Sequence, residues 1–147
     1  MTIKVSTGLR NKLMDTNPFK TIFNLGFIKI YNGTEPVDAD AVISGPTLIL
    51  TISNNSTGTG ITWEAAAVAG ACLKKASETW SGVASATLTA NFFRLVAAGD
   101  DATASTTQAR VQGAVGTAGA DLNMTTTSLV NTTTYPVDSF SVSVPTY

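Results

Sequence analysis

Histidine is absent from this sequence of 147 residues, cysteine occurs once, and charged residues make up only 13%. The first absence excludes Ser-His-Asp triads, histidine general bases and histidine metal ligands. The single Cys72 excludes an internal disulfide and any cysteine-based zinc cluster. Disorder calls for high net charge and few apolar residues, whereas here the net charge is −1 and apolar residues reach 44%. The shortage of Glu, Lys and Arg also argues against a coiled coil or helical bundle. No apolar run approaches the roughly 18 residues that a membrane-spanning helix needs. The opening MTIKVSTGLRNKL has no signal-peptide core, so synthesis in the cytoplasm is expected. A pI near 5.2 carries no nucleic-acid footprint.

Threonine, alanine, serine and glycine take the place of charge; there are 24 Thr. Thr, Val, Ile and the aromatics favour strands, and a chain of this length can bury a full core. Charge is divided unevenly. Residues 1–30 hold Lys4, Arg10, Lys12, Lys20 and Lys29 against Asp15, a balance of +4, and residues 31–147 carry −5. We therefore expect a basic, partly helical N-terminal arm over residues 1–25 and a β-sandwich domain over residues 26–147.

Local signals fill in this outline. Thr7 is placed to cap a helix over Gly8–Asp15, and Asn17-Pro18 ends it because the residue before proline avoids the helical region. Phe19, Ile22 and Phe23 then recur at helical spacing. Strands are expected from Gly26 to Asn32, Thr47 to Ser53, Ile61 to Ala65, Ala71 to Lys75, Thr87 to Ala97 and Arg110 to Val115. In the last of these Val111, Gly113 and Val115 share one face and Gln112 and Ala114 the other. Another strand is expected from Asp138 to Val144, where Phe140, Val142 and Val144 alternate with Ser139, Ser141 and Ser143. Thr34 to Gly45, Asn54 to Gly60 and Gly99 to Thr107 read as loops or turns. Turns every 8–12 residues between about eight short strands indicate an all-β sandwich or barrel.

Few residues suggest chemistry. Asp100-Asp101 is an adjacent acid pair without EF-hand spacing, and reads as a solvated turn. Glu64 and Glu78 stand near Trp63 and Trp80, a pairing seen in sugar sites, but Trp as a core anchor is the plainer reading. Gly58-Thr59-Gly60 and Gly116-Thr117-Ala118-Gly119 lack the Lys of a phosphate loop, so no cofactor motif is present. Cys72 lies in an apolar stretch and reads as an inert thiol, although Lys74-Lys75 is close.

Several words of sequence carry a resemblance. They are Ser6-Thr7-Gly8-Leu9-Arg10-Asn11, Ile28-Lys29-Ile30-Tyr31-Asn32-Gly33-Thr34-Glu35-Pro36 and Asn55-Ser56-Thr57-Gly58-Thr59-Gly60. Trp80-Ser81-Gly82-Val83-Ala84, Phe92-Phe93-Arg94 and the run from Val111 to Leu122 (VQGAVGTAGADL) follow. In this order, over nearly the whole chain, they resemble small virion proteins of tailed bacteriophages and prophages, in particular capsid cement or decoration proteins. The resemblance implies a jelly-roll fold, a homodimer on the outer shell of the virion, the major capsid protein as partner, and no enzymatic activity, cofactor or metal. Neither nucleic acid nor membrane is expected as a partner. Contact with the capsid is expected from the basic segment, with Arg10, Lys12 and Lys20 pairing with carboxylates and Leu9, Leu13 and Phe19 as apolar anchors. Two alternatives remain open: a tail or head–tail connector protein, and a glycan-binding β domain of a tail fibre with exposed aromatics at Trp63, Trp80 or Tyr135.

Overall fold

The β-branched and aromatic stretches form the longest strands of the computed structural model, which describes residues 3–15 and 17–143. In chain order the elements are β1 (Lys4–Val5), α1 (Thr7–Met14), α2 (Phe19–Ile22), β2 (Phe27–Asn32), β3 (Thr47–Asn54), β4 (Ala71–Leu73), β5 (Trp80–Val83), β6 (Leu88–Thr89), β7 (Phe92–Val96), β8 (Arg110–Gly116), β9 (Leu122–Asn123), β10 (Ser128–Leu129), β11 (Thr134–Pro136) and β12 (Ser141–Ser143). The protein is all-β with a short helical N-terminal part. The main sheet runs β1-β8-β7-β2-β3-β5-β11, with β9 added parallel to β8; β6 pairs with β10 and β4 with β12 in two small ribbons.

One face of the main sheet builds the apolar core. Ile28, Ile30, Phe93, Leu95 and Val111 point into it, where they meet Leu9, Phe23, Trp63, Trp80 and Phe140. The aromatic rings interlock edge to face: Trp63 lies 5.1 Å from Trp80, and Phe93 lies 5.6 Å from Phe140. Phe140 is buried and Val142 half-buried, while Ser139, Ser141 and Ser143 are exposed, so the alternation read near the C-terminus holds as far as it is described. Val144 lies outside the described residues.

Three local expectations change. Ser6, not Thr7, caps α1: its hydroxyl accepts from the Leu9 N–H at 3.1 Å, while Thr7 is already helical and its hydroxyl donates to Asp40. The stretch from Thr87 to Ala97 is two strands, because the chain changes partners at Ala90-Asn91. The Ala90 N–H goes to Thr127 and the Asn91 N–H to Tyr31, so β6 joins β10 and β7 joins β2 and β8. Ile61 to Ala65 is not a ladder strand; it makes single bridges from Ile61 to Gly26 and from Trp63 to Lys74.

Five strands, β1, β5, β9, β10 and β11, were not expected from the sequence. β5 contains Gly82, where a Cβ would lie 2.3 Å from the Thr51 carbonyl oxygen; the strands approach closely there and only glycine fits. β1 is only two residues long, too short for any periodicity to show.

The basic leading segment is packed onto the body over its described length. Leu9 is 1% exposed and belongs to the core, and a Cβ on Gly8 would lie 2.4 Å from the backbone of Thr107. Ser6 fixes this docking. Its N–H donates to the Arg110 carbonyl at 3.0 Å, its hydroxyl donates to the Gln108 carbonyl at 2.8 Å, and the Arg110 N–H donates back to that hydroxyl at 2.9 Å. Ser6→Ala leaves the Leu9 and Arg110 N–H groups without this acceptor and should cost about 2–4 kcal/mol. Leu9→Ala should cost about 2–5 kcal/mol by opening a cavity. Urea denaturation of the two variants checks both values. Removal of residues 1–20 should accordingly destabilise the whole β body.

Candidate interaction groove

The second face of the sheet is almost as dry as the first, and on it buried polar groups lie beside the buried Tyr31, Phe92 and Val96. Arg94, Gln112 and Arg110 project from it, and each is at most 2% exposed. Two loops cover them, around residues 35–41 and 100–108. Gln112 Oε1 accepts from Arg94 Nε at 3.0 Å and Nη2 at 2.5 Å, and Gln112 Nε2 donates to Glu35 Oε1 at 3.1 Å and the Pro36 carbonyl at 3.0 Å. Arg94 Nη1 donates to the Ala41 carbonyl at 2.8 Å. Burial, and then the neighbouring Arg110 charge, pull the Arg94 guanidinium below its ordinary value.

Arg110 forks onto Asp100, with Nε at 2.6 Å from Oδ2 and Nη2 at 3.1 Å from Oδ1. Asp100 is therefore a buried ion-pair partner rather than a solvated turn residue; its side chain is 2% exposed against 58% for Asp101. Arg110 Nη1 has no hydrogen-bond partner among the described residues. These loops form a clamp over the sheet, because each guanidinium holds one of them by its backbone.

The carboxylates near tryptophan are structural. Glu78 accepts from the Thr62 hydroxyl at 2.5 Å, the Thr62 N–H at 3.0 Å and Trp80 Nε1 at 2.9 Å. Burial pushes its carboxyl up, but these hydrogen bonds, led by those from Thr62, outweigh it and hold the group below its usual range. Glu64 accepts from the Ala76 N–H at 2.6 Å. Trp63, Trp80 and Tyr135 are all buried and present no open ring face to a sugar. Among the described residues no group of three or more acids or cysteines is placed to hold a metal ion.

The feature that stands out is an apolar groove of about 410 Å³ between the N-terminal segment and the β4–β12 ribbon. Ile3 and Val5 of the leading segment form one wall. Cys72 and Val142, opposite each other in the ribbon, form the other, and Leu9, Phe19 and Val111 lie between them. Ile3 is 39% exposed, Val5 42% and Leu13 44%. A continuous run of exposed apolar side chains of this kind marks an interaction surface more often than scattered single residues do. The Lys20 ammonium reaches the Ala65 carbonyl at the groove, and among the described residues no carboxylate lines it. Burial raises the Cys72 thiol, and the Lys20 charge opposes this only in part.

Of the six residues singled out in the sequence, Leu9, Leu13, Phe19 and Lys20 all line this groove. Leu9 does so from the core and offers little surface, so it is a packing residue and not a free anchor. Lys12 lies in a separate depression with Ala97 to Asp100 and Thr107 to Ala109. Arg10 is exposed and donates to the Thr7 hydroxyl at 2.9 Å. None of Arg10, Lys12 and Lys20 has a carboxylate within 4 Å among the described residues. Sequence reasoning missed Ile3, Val5, Cys72 and Val142, which come together only through the pairing of β1 with β8 and β4 with β12. No family model matches this chain, and no curated protein or solved structure matches it.

Two substitutions check the electrostatic account. Asp100→Ala leaves Arg110 buried without its counter-ion and should cost about 3–5 kcal/mol. The stabilising contribution of Glu78 is complete above its ordinary value of 4.5 and is lost as pH falls through its lower folded value. Glu78→Gln should therefore be less stable than the parent near neutrality, and the difference should shrink on acidification. Denaturant titrations at a series of pH values read both effects.

Proposed function

We propose that this protein is a cement, or decoration, protein of a bacteriophage capsid, made in the bacterial cytoplasm and bound to the outer surface of the shell. It bridges major capsid protein subunits and performs no catalysis. The observation that carries the reading is the strip of surface on the N-terminal segment where Arg10, Lys12 and Lys20 have no carboxylate within 4 Å among the described residues, Leu13 is exposed and Phe19 half-buried. The strip is held on a β body by the Ser6 hydroxyl and Leu9, so little ordering is needed when it meets a partner. The sequence resemblance points to the same role and supplies the identity of the partner.

The physical action follows from linkage. A protein that binds the assembled shell and not the separate subunits stabilises the shell, by about 2.7 kcal/mol per site at a free concentration one hundredfold above Kd. Repetition over a symmetric surface multiplies that amount. The protein is proposed to act as a homodimer, and a two-fold pair lets one molecule contact two capsid neighbourhoods. A tail or connector location is the second reading of the same resemblance. The buried Trp63, Trp80 and Tyr135 give the glycan-binding reading no support.

Co-sedimentation with purified empty shells of its own particle tests the proposal. Saturable binding at a fixed ratio to the capsid subunit, and a higher disassembly temperature of the decorated shells, are expected. Protein that stays in the supernatant, or is found only on tails or portals, overturns the reading.

A further inference from the structure

β1 is the last strand on its side of the main sheet, and no other strand among the described residues pairs with its outer edge. The hydrogen bonding of the inner edge can be worked out from the register. Ser6 pairs with Arg110 through its N–H, and Val5 stands opposite Val111 and Lys4 opposite Gln112. Bonded and non-bonded pairs alternate along an antiparallel ladder. Ser6 and Lys4 therefore turn their backbone groups toward β8, while Val5 turns its N–H and C=O away from it. Neither Val5 group meets a partner among the described residues.

The side chain of Val5 points into the groove, as does that of Ile3. An open hydrogen-bonding edge thus runs beside an open apolar trench. Side chains at alternate positions of an added strand would enter the trench between Val5 and the Val142–Cys72 wall, and the backbone of that strand would satisfy Val5. This combination of edge and pockets is the arrangement used for strand addition.

Charge selects among occupants. Lys20 lines the trench, Arg10 stands on the adjoining helix, and neither has a carboxylate within 4 Å among the described residues. A second copy docked edge to edge about a two-fold axis would bring the Lys20 of each trench toward the other, whereas Lys4 on the edge itself is already paired with Glu35 at 3.1 Å. Like charges placed opposite one another oppose association. A segment bearing carboxylates meets no such cost.

We propose that the β1 edge and its groove capture an extended segment of the shell subunit, apolar at alternate positions and flanked by carboxylates, as an added strand. This rests on the cement reading and names how the shell is gripped. Under it, the homodimer contact lies elsewhere on the molecule.

Cys72, the single thiol, lines the groove and reports its occupancy. The experiment follows alkylation of Cys72 by iodoacetamide and deuterium exchange at the Val5 amide, with and without purified empty shells. Saturating shells should abolish Cys72 labelling and protect the Val5 amide. Val5→Pro removes the outward N–H and replaces the groove-lining side chain by a ring, a change that edge strands tolerate, and Leu13→Glu places a like-signed charge against the acidic segment. Each should weaken shell binding about tenfold or more while leaving the melting temperature nearly unchanged. If shells bind and Cys72 labels at its free rate, the strand-capture inference falls and the cement reading stands. If shells do not bind, the cement reading falls and takes this inference with it. Protection of Cys72 that rises with protein concentration in the absence of shells would assign the groove to a second copy and overturn the inference.

Discussion

The Ser6 hydroxyl is the point on which the N-terminal segment depends. One oxygen accepts from the first turn of α1 and from the backbone of β8, and donates to the loop that leads into β8. It is completely buried, so these bonds are made away from competing water. Through it the start of the helix, the edge strand β1 and the sheet share one reference. Leu9 then falls into the core three residues later, and Leu13 emerges one turn further along at the groove. The basic segment is thereby part of the body's surface.

The same strand organises the other face. β8 sends Val111 and Val115 into the apolar core and Arg110 and Gln112 into the polar layer. Burying two guanidiniums is costly, and Arg94 has no carboxylate within 4 Å among the described residues. The cost is met by directed hydrogen bonds to loop backbone, from Arg94 to Ala41 and from Arg110 to Thr103. The consequence is that long loops without regular structure are held in one arrangement over the sheet. A body that is firm on both faces suits a protein proposed to act by rigid attachment.

Much of this was legible in the chain before any coordinates. Long apolar strands such as Thr47 to Asn54 announce themselves, because alternation and β-branched residues are local properties. The alternation in β8 and around Phe140 was equally readable, as was the short helix ahead of Asn17-Pro18. Less legible was anything that depends on a distant partner. Asp100 looked like half of a solvated acid pair, since nothing local shows that Arg110 folds back onto it. Gly82 gave no strand signal, because its reason is the Thr51 carbonyl of a neighbouring strand.

The candidate site divides in the same way. The sequence reading placed the interest on the first twenty residues and named Leu9, Arg10, Lys12, Leu13, Phe19 and Lys20 as its parts. Spacing along a chain cannot say which apolar side chain is inside, so Leu9 and Leu13 looked equivalent although one is core and the other surface. Nor can it bring Val5 beside Cys72 and Val142, residues separated by most of the chain. All-β class, a helical leader and an uneven charge are written in short-range pattern, where the physics is that of neighbouring residues. The groove and its open edge arise from strand pairing across the fold, where burial and register are set by residues far apart in sequence.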